Sequence, residues 1–317
     1  MRIFQKALIA GWLPVSALWA QDPFVFHAYI QGRFTNQEGT PDRLEIRRAR
    51  LIFSGDPVSD LSYSFQADLA KAPYIMDAAL TWKRYRAFRF TAGQFKIPFS
   101  AESLISDNWN TPIARARAVN SLAPGRDTGV QGRDTGLQIS GTLPGSREPF
   151  VDYAVGVFRG QTLIYSPQAH YHAVAARAIA HPVSGLSAGA DWYGSFDSTG
   201  TGPGAAVKRR SDAEGEYDRG PLKLRAEQIF ARDGKLNRRG GYGLGAWRFS
   251  KTWEALARAD WITTNTAKPN ATSIAYLAGM NYYWGRYLKV GFNAGAQHDQ
   301  RPGGFSSVTL AQVMVYY

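Results

Sequence analysis

The sequence predicts an all-β fold: a transmembrane antiparallel up-and-down β-barrel of about sixteen strands, with a long infolded third external loop. Three observations predict it. Apolar and polar residues alternate past residue 22 instead of recurring at helical spacing. The connections between alternating segments are tight at one end and long at the other. Aromatic residues gather at segment ends, where a barrel needs interface girdles and a soluble sandwich would leave its core unfilled.

Composition narrows the function classes. The 317 residues contain no Cys, which excludes a disulfide scaffold, a thiolate zinc site and a cysteine nucleophile. With 44% hydrophobic and 20% charged residues the chain is too apolar for general disorder. The formal charge of +12 asks for an anionic partner. Beyond the N-terminus no apolar run is long enough for a helical membrane span.

Residues 1–20 read as an export signal. Arg2 and Lys6 make a positive start, Ala7 to Ala20 carries no charge, and Ser16, Ala17 and Ala20 suit a peptidase. Cleavage is expected between Ala20 and Gln21, with Ala17-Leu18 as the second choice. Gly11 and Pro14 interrupt a stretch already short for an anchor. Removing Arg2 and Lys6 takes two from +12 and leaves +10, so the basic character belongs to the mature domain, 21–317. Export makes nucleic acid a poor candidate partner.

Strands are expected in order at 24–34, 42–54, 61–70, 74–83 and 86–96, then 133–142, 150–158 and 170–180. The second half adds 186–195, 206–217, 221–231, 241–250, 252–262, 273–284, 287–297 and 307–317. The second slips phase near Arg47-Arg48, which reads as a bulge. In the third, Leu61, Tyr63, Phe65, Ala67 and Leu69 alternate with Ser62, Ser64, Gln66 and Asp68. Leu186, Ala188, Ala190 and Trp192 alternate similarly in the ninth, as do Trp253 to Trp261 in the thirteenth and Leu288 to Ala294 in the fifteenth. The tenth, 206–217, has little apolar face, since it carries Lys208, Arg209, Arg210, Asp212, Glu214 and Glu216. The last alternates Thr309, Ala311, Val313, Val315 and Tyr317 outward and resembles the assembly signal of bacterial barrels.

Turns fall at Arg84-Tyr85, 182–185, 218–220, Lys251 and Gly285-Arg286, with longer loops at 196–205, 232–240, 263–272 and 298–306. Trp82, Tyr85, Trp253, Trp284, Tyr287, Tyr316 and Tyr317 form one expected girdle; Trp192, Phe196, Trp261 and Phe34 form the other. A mid-membrane Arg or Lys facing lipid costs about 2–4 kcal/mol, so charges must mostly face the lumen. That places Arg33, Arg48, Arg50, Asp68, Arg177, Asp191, Lys223, Arg225, Glu227, Arg248, Arg258 and Lys289 inside. Sixteen strands enclose a water-filled bore.

The connection 97–132 is far longer than the others and apolar enough to pack on a wall. It is expected to fold inward as a constriction, bringing Arg115, Arg117 and Arg126, with Lys96 at its base, against Glu102, Asp107 and Asp127. A solvated outward loop is the plainer alternative.

Ile46-Arg47-Arg48-Ala49-Arg50-Leu51 with Ser54-Gly55, and Ala92-Gly93-Gln94-Phe95-Lys96-Ile97-Pro98-Phe99, resemble the phosphate-selective porin O and P family. Pro124 to Gln131 and Ala213 to Tyr217 through Ala226-Glu227 fit the same pattern. The resemblance implies a trimeric outer-membrane barrel with its third external loop inside, and a lumenal arginine ladder with lysines at the narrow point. Arg33, Arg48, Arg50, Arg177 and Arg225 could form such a ladder, but only Lys96 sits near the loop, and Asp68, Asp191, Glu227 and Asp260 would partly neutralise it.

Smaller signals are weighed beside this. Residues 125–131 are repeated almost unchanged at 132–138, which reads as a loop duplication before a strand. His170 and His172 share a strand face without a third ligand, so no metal site is expected. Gly241-Tyr242-Gly243-Leu244-Gly245 lacks a βαβ setting, which removes a dinucleotide reading. No nucleophile constellation and no cofactor site stand out. The expected function is passive diffusion of small hydrophilic solutes, preferring anions such as phosphate; the rivals are a barrel hydrolase and a non-conducting adhesin. Outer-membrane lipid and two further copies of the chain are the other expected partners.

Overall fold

The computed structural model describes residues 24–72, 74–144, 149–159, 172–196, 207–298 and 304–317; the export signal and His170 lie outside them. Sixteen antiparallel strands close into one barrel, each hydrogen-bonded to its sequence neighbours. In order they are β1 Val25–Gln37, β2 Arg43–Val58, β3 Leu61–Asp68, β4 Ile75–Tyr85, β5 Phe88–Lys96, β6 Arg133–Pro144, β7 Pro149–Phe158 and β8 Ala173–Val183. The second half is β9 Leu186–Ser195, β10 Lys208–Arg219, β11 Leu222–Asp233, β12 Leu236–Trp247, β13 Trp253–Thr263, β14 Thr272–Trp284, β15 Leu288–His298 and β16 Phe305–Tyr316. Closure joins β1 to β16, with Tyr29 opposite Tyr316 and Arg33 opposite Gln312. Every edge is thereby paired.

Alternation sets the two faces. Lys289 and Asn293 on β15 are buried while Val290 and Phe292 between them are exposed. Leu310 and Met314 on β16 turn inward, whereas Val313, Val315 and Tyr317 turn outward. Strand β10, the segment with little apolar face, is a strand because the charges along its middle face inward: Arg210, Asp212 and Glu214 are buried inside, while Arg209 near its end turns out.

The phase slip in β2 is a bulge. Gln31 pairs with Arg48 and Gly32 with Ile46, so Arg47 is left over between them.

Three expectations need correction. The loop expected at 232–240 is a two-residue turn, since Asp233 pairs with Leu236 across Gly234 and Lys235. Gly234 has φ 59°, a conformation open to glycine, and the strands simply continue to it. Strand β8 runs 173–183, so it starts and ends three residues later than the expected 170–180. Tyr316 is not in the girdle: it alternates inward, and its hydroxyl donates to the Asn108 carbonyl at 3.2 Å. Arg248, just past β12 and half-exposed, reaches inward as expected, to the buried Glu254 at 3.2 Å.

The 97–132 segment carries two short helices, α1 Ala101–Leu104 and α2 Arg117–Leu122. On α2, Val119 and Leu122 pack in one apolar cluster with Ile229, Tyr242, Leu244 and Ile262 of β11 to β13. Full burial of two such aliphatic side chains contributes roughly 1.5–3 kcal/mol each.

Candidate functional site

Three strands hold the start of α1. Ser100 N–H donates to Asp191 of β9 at 2.6 Å, Ala101 N–H to Glu214 of β10 at 2.5 Å, and Glu102 N–H to Glu227 of β11 at 2.7 Å. The Ser100 hydroxyl donates to Glu227 at 2.5 Å, and so does the Tyr242 hydroxyl at 2.7 Å. Ser100 itself sits at φ 66° and accepts from Ser103 N–H as the helix cap. Helix-start amides are orphan donors, and carboxylates are their strongest partners. Asp191, Asp212 and Glu214 have carboxylate oxygens within 4.8 Å of one another, a spacing a divalent cation accepts. Arg177 already serves there, contacting Glu214 closely and Asp191 at 3.4 Å.

The segment's other contacts run around the ring. Arg33 of β1 donates to the Ile113 carbonyl at 2.9 Å, and Ile113 N–H donates to Asn293 of β15 at 2.8 Å. Arg258 of β13 reaches the Ala114 carbonyl at 2.6 Å, Lys289 the Asn110 carbonyl at 2.7 Å, and Arg210 the Leu122 carbonyl at 2.8 Å.

Asp107 gathers the arginines. It lies 3.0 Å from Arg48, 3.0 Å from Arg50 and 2.8 Å from Arg115. Burial alone would raise its pKa, but Arg115, Arg48 and Arg50 outweigh burial and hold it well below the usual carboxylate range. Arg50 also pairs with Asp68 at 3.1 Å.

Of the residues expected at the constriction, Lys96, Arg115 and Arg126 come together on the backbone of residues 102–105, and Arg117 does not join them. Lys96 donates to the Leu104 and Ile105 carbonyls at 2.7 and 3.0 Å, and Arg126 to the Ser103 hydroxyl and carbonyl at 2.8 and 2.9 Å. Arg115 also donates to the carbonyls of Glu102 and Ile105. Arg117 stands apart and pairs with Asp260 at 2.9 Å. Of the expected ladder, Arg33, Arg48 and Arg50 form one group on β1 and β2, while Arg177 and Arg225 belong to another. Arg225 is engaged by Glu216 at 2.6 Å.

Beside the first group lies a cavity of about 340 Å³. Arg33, Arg47, Arg48, Lys71, Arg115 and Arg126 line it against one acid, Asp107. Partial burial, then Arg47 and Arg48, lower the pKa of Lys71 from the ordinary lysine value. Two of these residues, Arg47 and Lys71, were not expected at a site. Arg47 had a signal: the phase slip that makes it the extra residue also lets it leave the strand's alternation.

A closed sixteen-strand barrel with charges inside and apolar residues outside is a membrane pore fold. The chain belongs to the phosphate-selective porin O and P family, whose model matches residues 27–304. It is an outer-membrane porin. Among solved structures it is similar to an anion-selective porin from Comamonas acidovorans, with 11% identity, a TM-score of 0.69, and 93% of this chain and 99% of that one covered. Salmonella typhi OmpF in complex with daunomycin gives 10% identity and a TM-score of 0.70, over 93% and 97% of the two chains. A trimer form of the Vibrio cholerae outer-membrane protein OmpT gives 10% and 0.67, over 93% and 99%. At these identities the likeness is one of fold. No curated protein matches the chain.

Proposed function

We propose that this porin passes small anions, phosphate among them, through a bore narrowed by residues 97–132, and that it performs no covalent chemistry. One observation carries the reading: the cavity bordered by six cationic side chains and a single carboxylate. Five cations in excess around one partly open cavity hold a passing anion by charge-assisted hydrogen bonds. Contacts from the segment to β1, β9, β11, β13 and β15 support its lying across the bore, because a segment leaving β5 reaches those strands by crossing the interior. Lys96, Arg115 and Arg126 serve mainly to shape it, since their donors face its own carbonyls.

We also assign a cleaved signal at 1–20, an outer-membrane location and a homotrimer. The decisive measurement is single-channel recording under a KCl gradient, then in phosphate. The expected reversal potential favours chloride and moves toward potassium in R47Q/K71Q. A potential favouring potassium in the wild-type barrel overturns the anion preference. Native electrophoresis of the detergent-extracted protein tests the trimer, and a monomer would remove it.

A further inference from the structure

On the outer face, at the end where β9 to β12 meet the long-loop side, three arginines stand around two aromatics. Arg209 is directly opposite Arg232, and Arg239 is directly opposite Phe230. Alternation turns all four outward, and all four are exposed. Ser211 pairs with both Trp192 and Phe230, which places the two exposed rings in one row with Arg239, just below the Arg209–Arg232 pair. These residues border a shallow hollow of about 530 Å³.

The physics of this arrangement is unusual for a barrel exterior. Like charges directly opposite on adjacent strands destabilise a sheet. Among the described residues no carboxylate lies within ion-pair distance of Arg209, Arg232 or Arg239; Asp233, the nearest acid in sequence, pairs with Arg210 and Arg238 instead. Arg232 is partly tied, donating to the Gly234 carbonyl at 2.9 Å. Outward arginines are costly at mid-membrane and nearly free of cost at the interface. Their height fits the interface: aromatic girdles mark the headgroup boundary, and Arg232 is two residues beyond Phe230.

We propose that Arg209, Arg232 and Arg239 form a binding site for the phosphorylated disaccharide headgroup of an outer-leaflet glycolipid. Guanidinium forks match phosphate oxygens bidentately, and the rings of Trp192 and Phe230 lie against the first acyl carbons. The lipid supplies the negative charge that the described residues do not bring to these arginines. The site is on the opposite face of the wall from the anion pathway and does not depend on it.

The test is native mass spectrometry of the detergent-purified barrel with bisphosphorylated lipid A and with its dephosphorylated form. The wild-type barrel is expected to retain the bisphosphorylated lipid, and R209Q/R232Q/R239Q to bind it at least tenfold more weakly. The corresponding triple lysine variant is expected to recover part of the affinity. Conductance in KCl, unchanged in all variants, shows that the barrel is folded. Equal retention by the glutamine variant, or of the dephosphorylated lipid by the wild-type barrel, overturns the proposal. So does release of the lipid by millimolar inorganic phosphate, which would mean a small-anion site.

Discussion

Arg48 Nε lies 3.0 Å from the Asp107 carboxylate, tying the 97–132 segment to the bulged strand β2. Because Asp107 is the one acid in a cationic cavity, two effects compete when it is removed. D107N leaves Arg48, Arg50 and Arg115 with less negative charge among them, and breaking a buried pair costs about 3–5 kcal/mol. It also strengthens the local positive potential. The expected result is a barrel that melts earlier yet favours chloride more strongly. An unchanged reversal potential would separate Asp107 from the conduction path.

The same carboxylate sets an acid limit. Its folded pKa is depressed, so its stabilising contribution is fully present above the unfolded aspartate value of 3.8 and is lost only as pH falls through the lower folded value. Open-channel noise should therefore stay constant on acidification down to about pH 4. In D107N that acid limit should vanish. Noise rising well above pH 4 in the wild type would contradict this.

Lys71 predicts an alkaline effect of the opposite kind. Its lowered pKa means that the ammonium loses its proton before an ordinary lysine does, at 10.5. Anion preference should decline as pH rises, starting below that value, and K71Q should start lower and lose the pH response. The measurement is reversal potential against pH in both proteins.

Glu227 is the anchor of α1. E227Q relieves the like-charge pair with Glu214, its direct cross-strand neighbour, worth about 0.2–1 kcal/mol. It also weakens three bonds, from Ser100 Oγ, Glu102 N–H and Tyr242 Oη, and bonds to a charged group contribute about 1.5–3 kcal/mol each. The second effect is larger. Current fluctuations should grow in E227Q; a quiet channel would mean that α1 is held elsewhere.

Gly93 tests the barrel wall. Its φ is 127°, and an added Cβ would lie 2.2 Å from the Ala78 carbonyl oxygen. Backbone strain alone costs about 1–3 kcal/mol, and the overlap adds to it. G93A should melt at a lower temperature by heat-modifiable electrophoresis, whereas G32A, with nothing within 4 Å of its Cβ, should not.

Period-two alternation made the strands legible because one face meets lipid and the other water, and the slip at Arg47 revealed the bulge. The same rule identified β10 despite its charges, since inward charges are what a wet bore permits. Partners of the 97–132 segment were not legible. Ser100 meets Glu227 across 127 positions and Ile113 meets Asn293 across 180, and alternation tells which face a residue takes without telling what it meets there. Lys71 escaped for a related reason: it follows the end of β3 and reaches the cavity only once the bulge has brought Arg47 beside it. The turn at Gly234 is hidden in the sequence because Asn237 and the two arginines after it look like loop residues, although they belong to β12.

Closure of β1 on β16 also has a consequence in time. Arg33 and its partner Gln312 are separated by 279 positions, so the ring cannot shut until nearly the whole chain has arrived. Until then the first strand keeps one unpaired ladder edge, open to any other extended chain. Contacts this distant in sequence also form slowly. Assembly of this barrel is thus a wait with a vulnerable seam, and a chaperone that covers β1 during that wait would protect it more than one acting anywhere else on the sheet.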